Sequence, residues 1–332
     1  MDSNTLQQKF FLEIKSQIPP NLSLVDEIAE VLNISNDSSY RRIRGEKTID
    51  FTDLKKLALH YKISIDQFFH LETESILFTD RSVTANNSFH FDMFLKALEN
   101  DLTYINSFDH RKMYYLNKDI PIFHYFNFHE LAAFKCFFWM KSIVHDPTLS
   151  RESFDLKKYV PLISESANKI KALYMQIPSC EIWNIESINS TIRQIDYYRN
   201  TEGFKNKEDI EIIYNCLERT IDQIEAYAEI GEKKLIMNNL SKGADYQLYI
   251  NEFILGDNTI YVELNDNGLV YINHGVINYM VTKDPKFCCF TKDNFQNIIK
   301  RSTLISSINE KDRIRFFKQM REKIRSRMPV IK

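Results

Sequence analysis

Side chains capable of chemistry are plentiful in this chain of 332 residues, but they do not converge on a catalytic pattern. His124, His129, Glu130 and His145 could ligate a metal by residue type. Their spacing matches no compact zinc site and they lie among aromatics, so core or surface histidines are expected. Cys288-Cys289 has no histidine nearby and sits in an apolar run, which points to burial rather than nucleophilic catalysis. The seven glycines form neither a GxxxxGK[ST] nor a GxGxxG run, so no loop is built to cradle a phosphate. No carboxylate pair stands out among the 45 acidic residues. No catalytic residue, metal or cofactor is therefore expected.

What remains is positive charge in two places. Arg41-Arg42-Ile43-Arg44 is one; taken in isolation, it reads as a solvated helix face. The other runs from Lys311 to Lys332, where nine basic residues stand against Asp312 and Glu322. Ile314, Phe317, Ile324 and Met328 make an apolar stripe there, so an amphipathic helix packs by that stripe and leaves a solvated basic face. The alternative is an accessory contact to DNA or an acidic partner.

The elements that must position these charges follow from periodicity. Residues 1–71 read as five short helices and the polar stretch 72–90 as a linker. A helix is expected from Phe91 to about Ser107. Residues 112–126 are extended or irregular around Pro121, and Phe128 to Ile143 is a buried apolar helix. Helices near 155–176, 185–199 and 207–238 follow. The last carries Ile210, Ile213, Leu217, Ile221, Ile224 and Ala228 at heptad spacing, a seam that joins two protomers or faces an intramolecular bundle. From about 241 short β-rich runs alternate with Gly/Asn turn signals at 255–258, 265–268 and 273–275, which predicts an antiparallel meander. Helices at 294–304 and 310–328 close the chain. The expected fold is multidomain and mainly α: an N-terminal helix-turn-helix domain (1–71), a helical region for dimerisation or sensing (91–240), and a C-terminal α+β region (241–332) with a small antiparallel sheet.

Bulk properties bound the setting. A net charge of −2 means that any affinity for nucleic acid is local, and five cysteines without metal spacing fit a reducing cytoplasm. The most apolar stretch, Leu131 to Val144, is interrupted by Lys135 and Lys141 and is too short to span a bilayer, so no membrane partner is expected.

The segment from Ser23 to Phe69 is the most informative. Ser23 and Asp26 hold capping-box positions ahead of the apolar face Leu24, Ile28, Val31, Leu32. Asn33-Ile34-Ser35 forms a short turn with Ser35 or Asn36 as the next N-cap, and a helix with Tyr40 and Ile43 facing inward ends at Gly45. A further helix with Phe51, Leu54, Leu57, Ala58 and Tyr61 inward starts near Asp50. Ser64 and Gln67 open a last short one.

This order of elements resembles the Cro and lambda-repressor type of helix-turn-helix family (XRE-type regulators) over about the first 70 residues. The resemblance implies that the helix after the Ile-Ser turn enters the DNA major groove. It makes Asn36, Asp37, Ser38, Ser39, Arg41 and Arg42 candidate base contacts, and Ser23, Arg44 and Lys47 candidate phosphate contacts. Members commonly place an aliphatic residue where this helix has Ser39, so which of Arg41 and Arg42 points at DNA stays open. Residues 1–72 carry nine basic and eleven acidic side chains, a net of −2, so binding as a homodimer on a double-stranded, near-palindromic operator, or extra contacts, would have to supply affinity. A small-molecule or peptide effector is a further expected partner. Two other readings remain: a protein-interaction module on the same fold, and a regulator fused to a ligand-binding or enzymatic domain.

Overall fold

Local capping and apolar spacing build the first of two units into which the computed structural model divides, Met1–Leu77 and Phe78–Lys332. The structure describes residues 3–18, 22–61, 63–69, 76–81, 91–234, 243–253 and 256–328. Unit one contains helices α1 (Ser3–Gln17), α2 (Leu24–Leu32), α3 (Asn36–Ile43), α4 (Phe51–His60) and α5 (Ile65–Phe68). Asn33 in the left-handed region ends α2, a conformation asparagine tolerates, and Ser35 and Asp50 accept the N-cap bonds of α3 and α4. Phe10, Phe11, Ile14, Ile28, Leu32 and Leu57 form its core. Most of the stretch expected as a linker lies outside the described residues.

The second unit is organised by a nine-stranded mixed sheet. In chain order its elements are β1 (Thr79–Asp80), α6 (Phe91–Asn106), β2 (Arg111–Leu116), α7 (Ile122–Tyr125), α8 (His129–Phe138), α9 (Leu156–Tyr174) and β3 (Ser179–Trp183). Next come α10 (Asn189–Asn200), α11 (Lys207–Ile230), β4 (Glu232–Lys233), β5 (Ala244–Ile250), β6 (Thr259–Leu264), β7 (Asn267–Asn273) and β8 (Tyr279–Thr282). The chain closes with α12 (Pro285–Ile299), β9 (Thr303–Leu304) and α13 (Glu310–Arg325). The strand order is β1-β8-β7-β6-β2-β3-β5-β4, with β9 beside β5.

This corrects the expectation of a mainly α chain with a small antiparallel sheet. The meander β6-β7-β8 is there, but it continues into β2, β3 and β5, which run parallel. Parallel strands need crossovers, and the helices between β2 and β5 are those crossovers. β3, with sequence SCEIW, is buried at all five positions and carries no alternation, so no period-2 signal announces it.

Side chains alternate across the sheet. Met113, Tyr115, Trp183, Tyr246 and Leu248 face the large helical layer of α6, α8, α9, α11 and α13, while Tyr114, Leu116, Ile182 and Tyr249 face α12. The apolar seam of α11 lies wholly in that helical layer, with Ile213, Leu217, Ile221, Ile224 and Ala228 at zero exposure. It is thus an internal bundle face and cannot join two protomers in this fold. α13 packs Phe316, Phe317, Met320 and Ile324 inward, whereas Ile314 is half exposed. Its basic face is largely occupied: Arg321 binds Asp222 and Glu225 at 2.9 and 2.5 Å, Lys323 binds Glu186 at 2.9 Å, and Arg325 pairs with Glu218. No helix among the described residues is long and apolar enough to cross a membrane.

Candidate nucleic-acid interface

The turn between α2 and α3 is tight because its backbone is satisfied locally. Ile34 N–H donates to Ala29 O at 3.0 Å, and Ser38 N–H to Ser35 Oγ at 3.3 Å. Ser39, at zero exposure, donates its hydroxyl to Val25 O at 2.9 Å. A buried hydroxyl without a partner would cost about 1–3 kcal/mol, so this bond explains how serine occupies an inward position.

Arg42 is also inward, at 8% exposure. Its Nε donates to Asp53 Oδ2 at 3.1 Å and its Nη1 to Ser38 Oγ at 2.6 Å, which fastens α3 to α4. Tyr40, expected inward, is 49% exposed. The inward pair is therefore Ser39 and Arg42, three residues apart, with Ile43 partly buried beside them. The reason is polar pairing: on an eight-residue helix, one hydroxyl bond and one ion pair outweigh burial of a single ring.

The outward face follows from that register. Asn36, Asp37, Tyr40, Arg41 and Arg44 are exposed. Asn36 Nδ2 donates to Asp26 Oδ1 at 2.8 Å, and the Arg44 guanidinium stands 5.3 Å from the Tyr40 ring centre. Glu46 faces both arginines, 3.4 Å from Arg44 and 4.0 Å from Arg41. Lys47 is exposed in the loop that follows. Ser23 is exposed at the start of α2 without a side-chain cap bond, but Asp26 and Glu27 occupy that first turn and oppose a phosphate there. Of the nine residues singled out in the sequence, six are exposed: Asn36, Asp37, Arg41, Arg44, Lys47 and Ser23. Ser39 and Arg42 are buried inside the unit, and Ser38, partly buried, is bound to Arg42.

Two supporting residues were missed. Gln7 Nε2 donates to Arg42 O at 2.7 Å and Lys47 O at 2.8 Å, while its Oε1 accepts from Ile49 N–H at 3.0 Å. Gln8 Nε2 donates to Arg44 O at 2.8 Å. α1 thereby braces the loop that carries Arg44 and Lys47. The available signal was that Gln7 shares a helix face with the buried Phe10, Phe11 and Ile14, where a polar residue needs a partner.

The second unit buries its reactive groups. Glu181 on β3 is fully enclosed and accepts from His124 Nε2 at 2.7 Å, Trp183 Nε1 at 2.8 Å, Tyr246 OH at 2.8 Å and the Tyr174 hydroxyl. Burial alone would raise its pKa; the His124 ring and the other donors outweigh that and hold it down, at about 2. Lys233 donates to Tyr174 O and Ser179 Oγ at 2.8 and 2.7 Å, and burial pushes its pKa well down. Lys135 is equally enclosed, bound to Asp119, Thr191 and Gln194 at 3.2, 3.1 and 2.7 Å. His129 bonds Asn168 at 2.9 Å, and the Cys216 thiol lies 3.8 Å from Glu130. No group of three metal-ligating side chains forms among the described residues. Cys288 is buried as expected, whereas Cys289 is exposed.

Comparison of the chain with protein-family models, curated proteins and solved structures finds no match.

Proposed function

We propose that this chain is a sequence-specific DNA-binding transcription regulator that acts in the cytoplasm as a homodimer, with unit one reading the operator. The observation that carries the reading is the two-sided use of α3. Ser39 and Arg42 seat it on α2 and α4, which leaves Asn36, Asp37, Tyr40 and Arg41 exposed across the outer face of a helix two turns long. A helix presented in this way fits the major groove, where arginine reads guanine and asparagine reads adenine by bidentate bonds. Arg44 and Lys47, on the loop braced by Gln7 and Gln8, would take flanking phosphates.

The test is selection from random duplex DNA at fixed, near-physiological salt with the wild-type chain and the Asn36→Ala/Arg41→Ala double variant. These positions are chosen because both side chains are exposed and neither ties α3 to α4. Asn36 gives up only an exposed bond to Asp26, and an unchanged thermal midpoint of the variant shows that loss of binding reports contact. The expected outcome is a near-palindromic site, with half-sites about one helical turn apart, that the variant fails to enrich. Equal, unselective binding by both proteins sinks the reading.

A further inference from the structure

Beyond the end of α8 the chain leaves α-helical geometry. Residues Trp139–Ile143 form a π-helical turn closed by Val144 N–H on Trp139 O at 2.9 Å. Such turns are rare and concentrate at functional sites. A cavity of about 660 Å3 opens beside it, walled also by the 150–153 segment and the C-terminal end of α10. That volume falls in the range of about 300–1,000 Å3 typical of small-molecule sites.

Two wall residues end helices in the left-handed region, His145 at φ 56° after the π-helical turn and Glu202 at φ 54° after α10, which fixes the turns that shape the cavity mouth. A third wall is fixed from the core: Gln194 Oε1 accepts from the buried Lys135 at 2.7 Å, and Lys135 is itself held by Asp119 and Thr191. Apolar surface comes from Phe138, Ile143 and the Tyr197 and Tyr198 rings.

Charge defines the ligand. Lys141 donates to the Glu152 carbonyl on the cavity wall. The Glu152 carboxylate is met by Lys158 at 2.7 Å. Arg151 and Glu202 have no ion-pair partner among the described residues. With Glu152 neutralised, Lys141 and Arg151 against Glu202 leave one net positive charge. A monoanion balances it, whereas a phosphate dianion would leave a negative excess beside Glu202.

We infer that this cavity binds a small organic monoanion with an aromatic or apolar body, its charged group on Arg151 and its body against Tyr197 and Phe138. The site stands independently of the DNA-binding reading, and either can fail alone.

The full chain is titrated with the fluorescent aromatic monoanion 8-anilinonaphthalene-1-sulfonate, then competed with benzoate, benzyl alcohol and phenyl phosphate. One saturable site is expected, displaced by benzoate well ahead of benzyl alcohol and phenyl phosphate. Arg151→Ala weakens it about tenfold, the loss typical of one charge-assisted contact. Arg151→Lys recovers part of that, Tyr197→Ala weakens it several-fold, and Lys318→Ala on the exposed side of α13 changes nothing. Thermal midpoints of all variants within about 2 °C of wild type show that the fold is retained. Absence of a saturable site, equal affinity in wild type and Arg151→Ala, or displacement by benzyl alcohol as readily as by benzoate overturns the proposal.

Discussion

In unit one the core among the described residues draws on α1, α2 and α4, and the arginines at the end of α3 divide, with Arg42 turned in and Arg41 and Arg44 turned out. In the second unit Glu181, Lys135 and Lys233 are turned in completely, and each meets two or more hydrogen-bonding partners. The same residue types thus serve opposite ends. A small core with charges at its surface follows from the size of a unit that spans Met1–Leu77. A sheet whose central strand anchors four donors on one carboxylate suits a rigid frame, because a partly satisfied buried network would be worse than an apolar one. Exposed apolar surface does not separate the two units: Phe51 of α4, expected inward, is 91% exposed, and Phe253 of the second unit is 93% exposed.

The comparison breaks most sharply at Glu181. Replacing it with alanine leaves His124, Tyr174, Trp183 and Tyr246 without their acceptor and should destabilise the second unit by about 3–5 kcal/mol. Both tryptophans, Trp139 and Trp183, lie in that unit, so urea unfolding followed by their fluorescence reads it selectively. An effect below about 1 kcal/mol would mean that the carboxylate is not the node described here.

Acid sharpens the same point. The Glu181 pKa is depressed in the fold, from an ordinary 4.5 to about 2, so the unfolded chain binds the proton more readily between those values. Its contribution is complete above pH 4.5 and is lost as pH falls toward 2. Glu181→Gln should flatten that part of the stability profile, measured by fluorescence-detected urea midpoints across that range.

Arg42→Ala comes next, with a cost to unit one of about 2 kcal/mol from the broken contacts to Asp53 and Ser38. Hydrogen exchange of α3 and α4 amides measures it. Arg41→Ala should change stability by less than about 0.5 kcal/mol while weakening operator binding about tenfold or more, the worth of one bidentate base contact. If Arg41 and Arg42 exchange these behaviours, the register of α3 is wrong. The smallest effect is expected at Glu46, which faces Arg41 and Arg44 in exposed pairs of little intrinsic strength. Glu46→Gln removes a charge that opposes phosphate and should tighten DNA binding by about two- to fivefold in a salt-controlled titration.

What was legible in the sequence tracks how local the signal is. The helices of unit one are announced by Ser35, Asp50 and the spacing of Ile28, Leu32 and Leu57, all readable within a few residues. The meander is announced by its turns, with Asn265 in the left-handed region at φ 50° between β6 and β7. The register of α3 was hidden because Tyr40 and Ile43 are its only large apolar residues, and the partners that decide it, Val25 and Asp53, lie on other helices. β3 was hidden because its pairing with β2 and β5 is remote and its polar residue, Glu181, contradicts an apolar pattern. The cavity beside the π-helical turn left no trace, since its walls join residues from 138 to 203 that share no periodicity.

The placing of β2 has a consequence for biosynthesis. Its neighbour β6 follows 149 residues later, as Tyr114 and Glu263 mark. At roughly 5–20 residues per second, a ribosome needs on the order of 10–30 s to deliver that partner. Through that interval one edge of β2, with Met113, Tyr114 and Tyr115 along it, waits unpaired on the nascent chain, whereas unit one has its described core within reach once Phe68, which packs on Phe10, is made. Synthesis therefore hands over a finished N-terminal module long before the sheet can close, and chaperone demand should fall on the second unit alone.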